Sequence, residues 1–203
     1  LAKAPLKDVR AVWAGMGYNR RARALKRCAE KIVAEHGGKV PRGRAELEAL
    51  PGIGPYTAGA VRAFAFDEPE VFIETNIRRV FIYQFFHNKQ GRGDREILKL
   101  VEATLDRAQP REWYWALMDY GAELPKVVRK NPNTQSKHHV KQSTFKGSLR
   151  ELRGKIVRVL GEGSKSLVMV RRACGNDPRT KEALDALIKD GLVYYEKRKY
   201  QLA

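Results

Sequence analysis

The 203-residue sequence is poor in cysteine, in acidic side chains and in long apolar runs, and each shortage excludes a class of protein. The two cysteines, Cys28 and Cys174, lie far apart, so they supply neither a disulfide framework nor a four-cysteine metal cluster. No apolar run approaches the roughly 20 residues of a membrane-spanning helix, and no basic-then-apolar leader opens the chain. We therefore expect a soluble, non-secreted protein, with 43% hydrophobic residues available for its core.

Positive charge is what the sequence has in excess. Its 40 Lys and Arg residues against 23 Asp and Glu residues give a formal net charge of +17. Residues 1–125 carry 21 basic and 16 acidic side chains, whereas residues 126–203 carry 19 and 7. A polyanion is the natural partner, because neutralising phosphates releases counterions, and nucleic acid is favoured over a membrane since no apolar anchor is present. The alternative is a basic surface that serves solubility alone.

Helical spacing of apolar residues organises the first 125 residues. The first stripe is formed by Val9, Val12, Trp13 and Met16. The same spacing predicts helices over residues 55–66, 76–86, 95–105 and 111–124, and Pro55 takes the first-turn position of its helix. The predicted fold class is mainly α, with a first domain over residues 1–124.

The remainder of the chain has a different pattern. Residues 125–147 are polar, basic and poor in apolar side chains, which predicts a linker or a strapping loop. Helices are then predicted over residues 149–160, 166–174 and 178–190, followed by two short strands around a charged turn in residues 191–202. Three helices and a terminal hairpin are the outline of a small winged-helix-like α+β module, which we place at residues 148–203.

A nine-residue string with two glycines, LPGIGPYTA at residues 50–58, joins two predicted helices. Glycine permits left-handed backbone angles and removes side chains from the turn, and the turn directs amide N–H groups outward at the positive end of a helix dipole. Such a hairpin can hold a DNA phosphate, whereas the alternative is a tight helix–helix corner in which glycine serves geometry alone. The phosphate-binding interpretation predicts DNA contacts at Leu50, Gly52, Ile53, Gly54, Tyr56 and Thr57.

The string resembles the helix-hairpin-helix of the endonuclease III and MutY superfamily of DNA glycosylases. Three other stretches agree with that family in order and spacing: GMGY at residues 15–18, GGKVP at residues 37–41 and MDYGA at residues 118–122. The TAGA of residues 57–60 is most similar to the MutY branch, the adenine glycosylases. The resemblance covers about residues 1–124 and implies the helix-hairpin-helix glycosylase fold.

The resemblance also implies a catalytic carboxylate after the hairpin, in the family pattern Asp-x-Asn-Val-x-Arg-Val. This sequence has ETNIRRV at residues 74–80, so Glu74 stands at the carboxylate position. Breaking an N-glycosidic bond builds positive charge on the sugar ring, which an adjacent anion can stabilise or capture. Because Glu74 is one methylene longer than aspartate, its backbone must retreat by about a C–C bond length to do the same work. The alternative is that Glu74 only caps the helix that begins near Asn76.

Tyr56 bears on the type of reaction. Bifunctional relatives have a lysine at this position, whose amine forms a Schiff base with the sugar, and tyrosine cannot form that adduct. The resemblance therefore implies a monofunctional glycosylase in base-excision repair, with Tyr56 at the pocket mouth; a core tyrosine is the competing interpretation. Adenine opposite G or 8-oxoguanine is the expected substrate. Thymine or uracil in a mismatch is the runner-up, and a non-catalytic DNA-binding protein is the alternative of another class.

The sequence departs from the family in three places. In relatives the general-acid glutamate and the intercalating residues come from a helix before the region that matches Leu1, so we expect that helix to be missing here. Residues 123–145 hold no cysteine where relatives carry four for an iron–sulfur cluster, so neither a cluster nor another cofactor is expected. The last 55 or so residues are too short for the family's 8-oxoguanine-recognition domain.

The expected partner is double-stranded DNA with a mismatch or an oxidised base, bound by a cytoplasmic, nucleoid-associated monomer without a metal ion. Beyond the hairpin, six cations are predicted to contact its phosphates: Arg20, Arg21, Arg78, Lys126, Arg129 and Lys130.

Overall fold

A computed structural model describes residues 1–13, 16–86, 90–141 and 144–203. Within these ranges the chain has ten α-helices, one 3-10 helix at Pro132–Gln135 and two β-strands, which confirms the mainly α fold class. The helices are α1 (Leu6–Trp13), α2 (Arg20–Glu35), α3 (Arg44–Glu48), α4 (Pro55–Phe66), α5 (Thr75–Phe85), α6 (Asp94–Thr104), α7 (Pro110–Val127), α8 (Leu149–Gly161), α9 (Leu167–Ala173) and α10 (Thr180–Lys189). The strands are β1 (Val193–Glu196) and β2 (Lys199–Leu202).

The chain divides into two compact units. The central unit is Val40–Lys141, and the terminal unit combines Leu1–Lys39 with Gln142–Ala203. This division differs from the domain boundaries predicted at residues 124 and 147, because the two ends of the chain pack on each other. Arg23 on α2 donates through Nη1 to the backbone oxygens of Asp190 and Gly191, at 3.4 and 3.1 Å.

The core of the central unit fixes the chain between α4 and α5. Tyr114 on α7 is fully buried, and its ring stacks on Phe72 with centroids 4.1 Å apart. Its hydroxyl donates to the Glu70 oxygen at 2.7 Å and accepts from the Phe72 N–H at 3.4 Å. Burial raises the pKa of Tyr114, so the hydroxyl stays neutral and serves as a donor. Residues 70–72, which lead to Glu74, are therefore held from within the core.

The terminal unit contains the predicted winged-helix outline. Helices α8, α9 and α10 pack around buried residues that include Leu152, Ile156 and Leu184. Strands β1 and β2 form an antiparallel pair from Val193↔Leu202 to Glu196↔Lys199. A further antiparallel bridge joins Lys165, between α8 and α9, to Tyr200; the Lys165 N–H donates to the Tyr200 oxygen at 3.0 Å. This isolated bridge beside the two-stranded sheet was not predicted.

The predicted first apolar stripe is only partly buried. Val12 and Met16 belong to the predicted apolar stripe, yet their side chains are 83% and 58% exposed. Cys28 and Cys174 are free and buried, and burial raises the pKa of each thiol. In the described parts of the chain, no helix combines the length and the apolar character needed to cross a bilayer.

Candidate active site

The hairpin between α3 and α4 is built by a Pro-Gly turn. The Ile53 N–H donates to the Leu50 oxygen at 3.1 Å, and Gly52 has φ +81°, the angle that the third residue of a type II turn requires. Leu50 is buried and anchors the turn. Gly54, by contrast, has extended backbone with φ −104° and ψ 179°. The expectation of a left-handed conformation is thus right for Gly52 and wrong for Gly54, whose small size matters instead.

Gly54 leaves the N-terminus of α4 open. It is the N-cap residue and gives no side-chain cap, and a Cβ atom built on it meets no atom within 4 Å. Pro55 follows at the first helical position, and the first helical hydrogen bond runs from the Ala58 N–H to the Gly54 oxygen at 2.9 Å. Thr57 is half-buried in this first turn. An anion can therefore approach the backbone here, at the positive end of a twelve-residue helix.

Tyr56 links the hairpin to the segment that carries the candidate carboxylate. Its side chain is 42% exposed, and its ring lies against Phe72 with centroids 6.0 Å apart. Gly59, one turn along α4, lets that segment approach, since a Cβ there lies 2.7 Å from the Phe72 Cβ. Because Phe72 precedes Glu74 by two residues, the segment that leads to the carboxylate packs against the first turns of α4. A tyrosine exposed to this extent favours the pocket-mouth interpretation over a core role.

Glu74 is the N-cap of α5. Its Oε1 atom accepts hydrogen bonds from the Asn76 N–H and, at 2.8 Å, from the Ile77 N–H. The residue is half-buried, and both hydrogen bonds use Oε1, so the cap does not use Oε2. The capping interpretation is therefore observed, and it fixes the carboxylate at the positive end of a helix, where an anion is favoured. Capping and catalysis are compatible, and the catalytic role of Glu74 stays a prediction.

Arg79 fastens the helix behind Glu74. Pro125 lies inside α7 and has no N–H to donate to the oxygen of Gly121, four residues earlier. Arg79 Nη1 donates to that Gly121 oxygen and, at 2.8 Å, to Asn76 Oδ1. Gly121 also permits the close approach, since a Cβ there lies 2.5 Å from the Asn76 oxygen. The Met118–Ala122 stretch, MDYGA, thus serves the packing of α7 against the first turn of α5.

Asparagines fasten the segment that replaces the cysteine-bearing loop of the resembled family. Asn131 Oδ1 accepts from Arg79 Nε at 3.2 Å, and the buried Asn133 donates through Nδ2 to the Thr75 oxygen at 2.9 Å. The residues here do not fit an iron–sulfur cluster, because their donors are amides and the two thiols of the chain lie in the terminal unit. Side-chain amides thus hold this segment on the start of α5.

Arg79, Asn131 and Asn133 were missed by the sequence analysis. A partial signal for Arg79 does exist in the sequence, because Pro125 directly follows the predicted helix of residues 111–124 and stands four residues after Gly121. That spacing leaves a buried oxygen that needs a donor from elsewhere. The asparagines give no comparable signal, since turn residues are common in polar loops.

The other predicted DNA-contacting cations have varied surroundings. Arg78 makes a two-pronged ion pair with Asp94, Nε–Oδ1 at 2.7 Å and Nη2–Oδ2 at 2.8 Å, so we reassign it to the packing of α5 on α6. Lys126 pairs with Glu123 at 2.7 Å on the surface. Arg129 and Lys130 are exposed in the same unit as the hairpin.

The two cations predicted on α2 belong to the terminal unit. Arg20 is exposed and lies 3.3 Å from Asp190 Oδ1, whereas Arg21 lies over the Tyr18 ring, 5.7 Å from its centroid. Gly15, the first residue of the GMGY stretch, lies outside the described residues.

Comparison with known proteins agrees with this geometry. Residues 35–64 match the helix-hairpin-helix motif family. The chain is 31% identical over 211 residues to the adenine DNA glycosylase of Mycolicibacterium smegmatis, and the alignment covers 95% of this chain and 71% of that protein. It is 35% identical over 128 residues to the adenine DNA glycosylase of Rattus norvegicus, where 61% of this chain spans only 25% of the relative.

A solved structure of a thermostable thymine-DNA glycosylase is also similar, with a TM-score of 0.53 and 27% sequence identity. That similarity covers 64% of this chain and 61% of the other. The resemblance inferred from the hairpin and its companion stretches is thereby confirmed, as is the helix-hairpin-helix DNA glycosylase fold. Since the mycobacterial alignment extends over most of both proteins, the chain belongs to the adenine DNA glycosylase family.

Proposed function

We propose that this protein is a monofunctional DNA glycosylase of base-excision repair that removes adenine mispaired with G or 8-oxoguanine. The observation that carries the proposal is the Glu74 carboxylate, which is held through Oε1 by two backbone N–H groups and stands two residues after Phe72, the ring that lies against Tyr56 of the hairpin. Membership of the adenine DNA glycosylase family supports the reaction and the base. The partner in this proposal is duplex DNA, met by a monomer in the cytoplasm.

Each part of the site has a role in this reaction. The open N-terminus of α4 binds a backbone phosphate, and the target nucleotide rotates out of the duplex toward Tyr56. As the glycosidic bond breaks, the Glu74 carboxylate stabilises the positive charge that develops on the deoxyribose. Water then completes hydrolysis and leaves an abasic site. Tyr56 offers no amine, so no Schiff base forms and the strand is not cut by the protein.

A thymine or uracil mismatch glycosylase is the second candidate. The similarity to the thymine-DNA glycosylase structure favours it, and Tyr56 is compatible with either base. Nothing in the hairpin or around Glu74 selects a purine over a pyrimidine, since the phosphate and the sugar are common to both. The excision assay described next therefore distinguishes the two substrate classes.

The test separates the chemistry of Glu74 from its capping role. The protein is incubated with duplexes that contain A opposite 8-oxoguanine, A opposite G, T opposite G or U opposite G, and the products are treated with alkali. Glu74→Gln keeps an oxygen that can accept from the Asn76 and Ile77 N–H groups but removes the charge. We expect the variant to lose no more than about 1 kcal/mol of stability, the contribution of an anion at a helix N-terminus. Duplex binding should be unchanged, with excision reduced by at least about 100-fold.

Each outcome decides between the candidates. Alkali-labile breaks at A support the adenine glycosylase, and breaks only at T or U support the second candidate. Duplex binding without any breaks identifies a non-catalytic DNA-binding protein. Breaks that arise without alkali contradict the monofunctional assignment that rests on Tyr56.

A further inference from the structure

The hairpin of the terminal unit closes through an unusual turn. Glu196 pairs with Lys199, so the turn contains only Lys197 and Arg198, with φ of +47° and +61°. A two-residue turn with both residues at positive φ is normally made by Asn-Gly or a similar pair, because longer side chains are disfavoured there. Two long cationic side chains thus occupy positions that backbone sterics would assign to Asn and Gly. Such local strain is commonly kept where the side chains serve function.

The turn is a concentrated, exposed positive charge. Lys197, Arg198 and Lys199 are consecutive and all exposed. The acidic neighbour, Glu196, is also exposed and accepts from Gln201 Nε2 at 3.4 Å, on the strand side of the turn. The tip therefore carries three cations against one flanking anion, a charge pattern that suits phosphates.

The base of the hairpin is firmly attached, so the turn projects from a rigid support. Tyr200 is buried, and its backbone exchanges two hydrogen bonds with Lys165, at 2.8 and 3.0 Å. The Tyr195 and Tyr200 rings pack with centroids 4.6 Å apart. A rigid hairpin presents its tip to a partner with little loss of conformational entropy on binding.

Helix α10, which corresponds in order to the base-reading helix of a winged helix-turn-helix, lacks such a charge. Its side chains Lys181 and Lys189 are balanced by Glu182 and Asp185, and Lys181 pairs with Asp185. A charge-balanced helix has no net attraction for the walls of a DNA groove. The turn therefore offers a net positive charge that this helix lacks.

We propose that the Lys197-Arg198 turn is a second DNA-contacting element, which binds backbone phosphates of duplex DNA without reading sequence. The inference rests on the proposed function, since its partner is the same duplex that the α3–α4 hairpin binds. A protein that must find one mispaired base in any sequence gains affinity from contacts that every sequence offers. The strained turn is then explained by the need for two long cations at the tip.

The decisive variant is Lys197→Asn/Arg198→Gly, which gives the turn its favoured residues and removes both charges. We expect the melting temperature to rise, because the strain is relieved. We expect affinity for an undamaged duplex to fall about 10-fold near 0.1 M salt. The slope of log K against log [salt] should become shallower by about 1.8, the value for two lost phosphate contacts.

The matched control is Arg158→Gln/Lys189→Gln, which removes two exposed cations from the helices of the same module. Its net charge equals that of the turn variant, so it measures the effect of charge without the turn. We expect a change in affinity below about 2-fold and no rise in melting temperature. If the turn variant fails to fold, Lys197→Gln/Arg198→Gln carries the same affinity test with chain length and backbone unchanged.

Several results would overturn the inference. A fall in the melting temperature of the turn variant would show that Lys197 and Arg198 serve stability. An unchanged affinity for duplex DNA would show that the turn makes no phosphate contact. An equal loss in the control would assign the effect to overall charge. If the wild-type protein excises a base and the turn variant binds duplex as tightly as the wild type, only the proposed contact at the turn is refuted. A wild-type protein that neither binds nor excises refutes the proposed function as well.

Discussion

At the scale of single residues, Arg79 carries more of the site than its sequence position suggests. One guanidinium satisfies the oxygen that Pro125 leaves without a donor, and it also contacts Asn76 and Asn131 at the start of α5. Since Glu74 caps that same helix, the position of its carboxylate depends on Arg79. Arg79 itself takes no part in the proposed chemistry. This makes Arg79 a positioning residue.

The dependence of Arg79 on Pro125 can be tested by a mutant cycle. Arg79→Ala leaves the Gly121 oxygen buried without a donor, and we expect a loss of about 1–3 kcal/mol in the free energy of unfolding. Pro125→Ala supplies the missing N–H, so the double variant should recover part of that loss. Urea unfolding of the four proteins measures the coupling. Strictly additive effects would contradict the assignment.

Residue-level prediction from sequence depended on a motif. Glu74 and Tyr56 were singled out because they stand at fixed places after and within the hairpin string, and their roles in the reaction stay predictions. The reassignment of Arg78 and the omission of Arg79 have a common cause: a cation's partner lies on another helix, here Asp94 on α6 and Gly121 on α7. Such pairings depend on tertiary packing, which periodicity does not specify.

At the scale of elements, the two glycines of the hairpin have different duties. Gly52 supplies a left-handed turn residue, whereas Gly54 keeps the N-terminus of α4 open. A substitution at either position therefore tests a different property, stability at the first and anion binding at the second.

We expect Gly52→Ala to cost roughly 1–2 kcal/mol of stability, because alanine is disfavoured at φ +81°. Gly54→Ala has ordinary extended backbone and open space, so its cost should stay below about 1 kcal/mol, the difference between glycine and alanine at an N-cap. Its methyl group obstructs the approach of a phosphate, and duplex affinity should fall about 10-fold. Chemical unfolding and fluorescence anisotropy measure the two effects. Normal binding by Gly54→Ala would refute the hairpin's phosphate contact.

Element boundaries were predictable to within a few residues, and the exceptions have physical reasons. Helix α4 was predicted in full, from its first-turn proline to Phe66. Helix α7 continues to Val127, past the predicted end at Leu124, because Arg79 compensates for the hydrogen bond that Pro125 cannot make. The strand position at Lys165 went unpredicted, since a single bridging residue has no alternating pattern.

At the scale of the whole molecule, acidic side chains in both units titrate below their ordinary range. The hydrogen bond from Arg78 lowers the pKa of Asp94 in the central unit, where the charge of His138 acts in the same direction. In the terminal unit, hydrogen bonds from Arg179 lower the pKa of Asp177 to about 2. Folded and unfolded states thus bind protons differently in acid, in both units.

The sign of the resulting pH dependence follows from the lowered pKa values. Each carboxylate contributes stability that is fully present above its unfolded pKa, near 4, and is lost as pH falls through the lower folded value. Stability should therefore be level from about pH 5 to 7 and decline below about pH 4. Asp94→Asn and Arg78→Gln should both be less stable at pH 7 and decline less in acid. Urea midpoints from pH 3 to 7 measure this, and an unchanged acid slope in either variant contradicts it.

The placement of the two cysteines has a practical consequence for experiments on the intact chain. Both thiols are buried in the terminal unit, whereas the central unit contains none. Burial should therefore slow a thiol-modifying reagent, and the rate of modification should rise when the terminal unit opens. Trp113 and Trp115 lie in the central unit and supply a fluorescence signal there. The native sequence thus already carries a chemical reporter confined to one half of the protein.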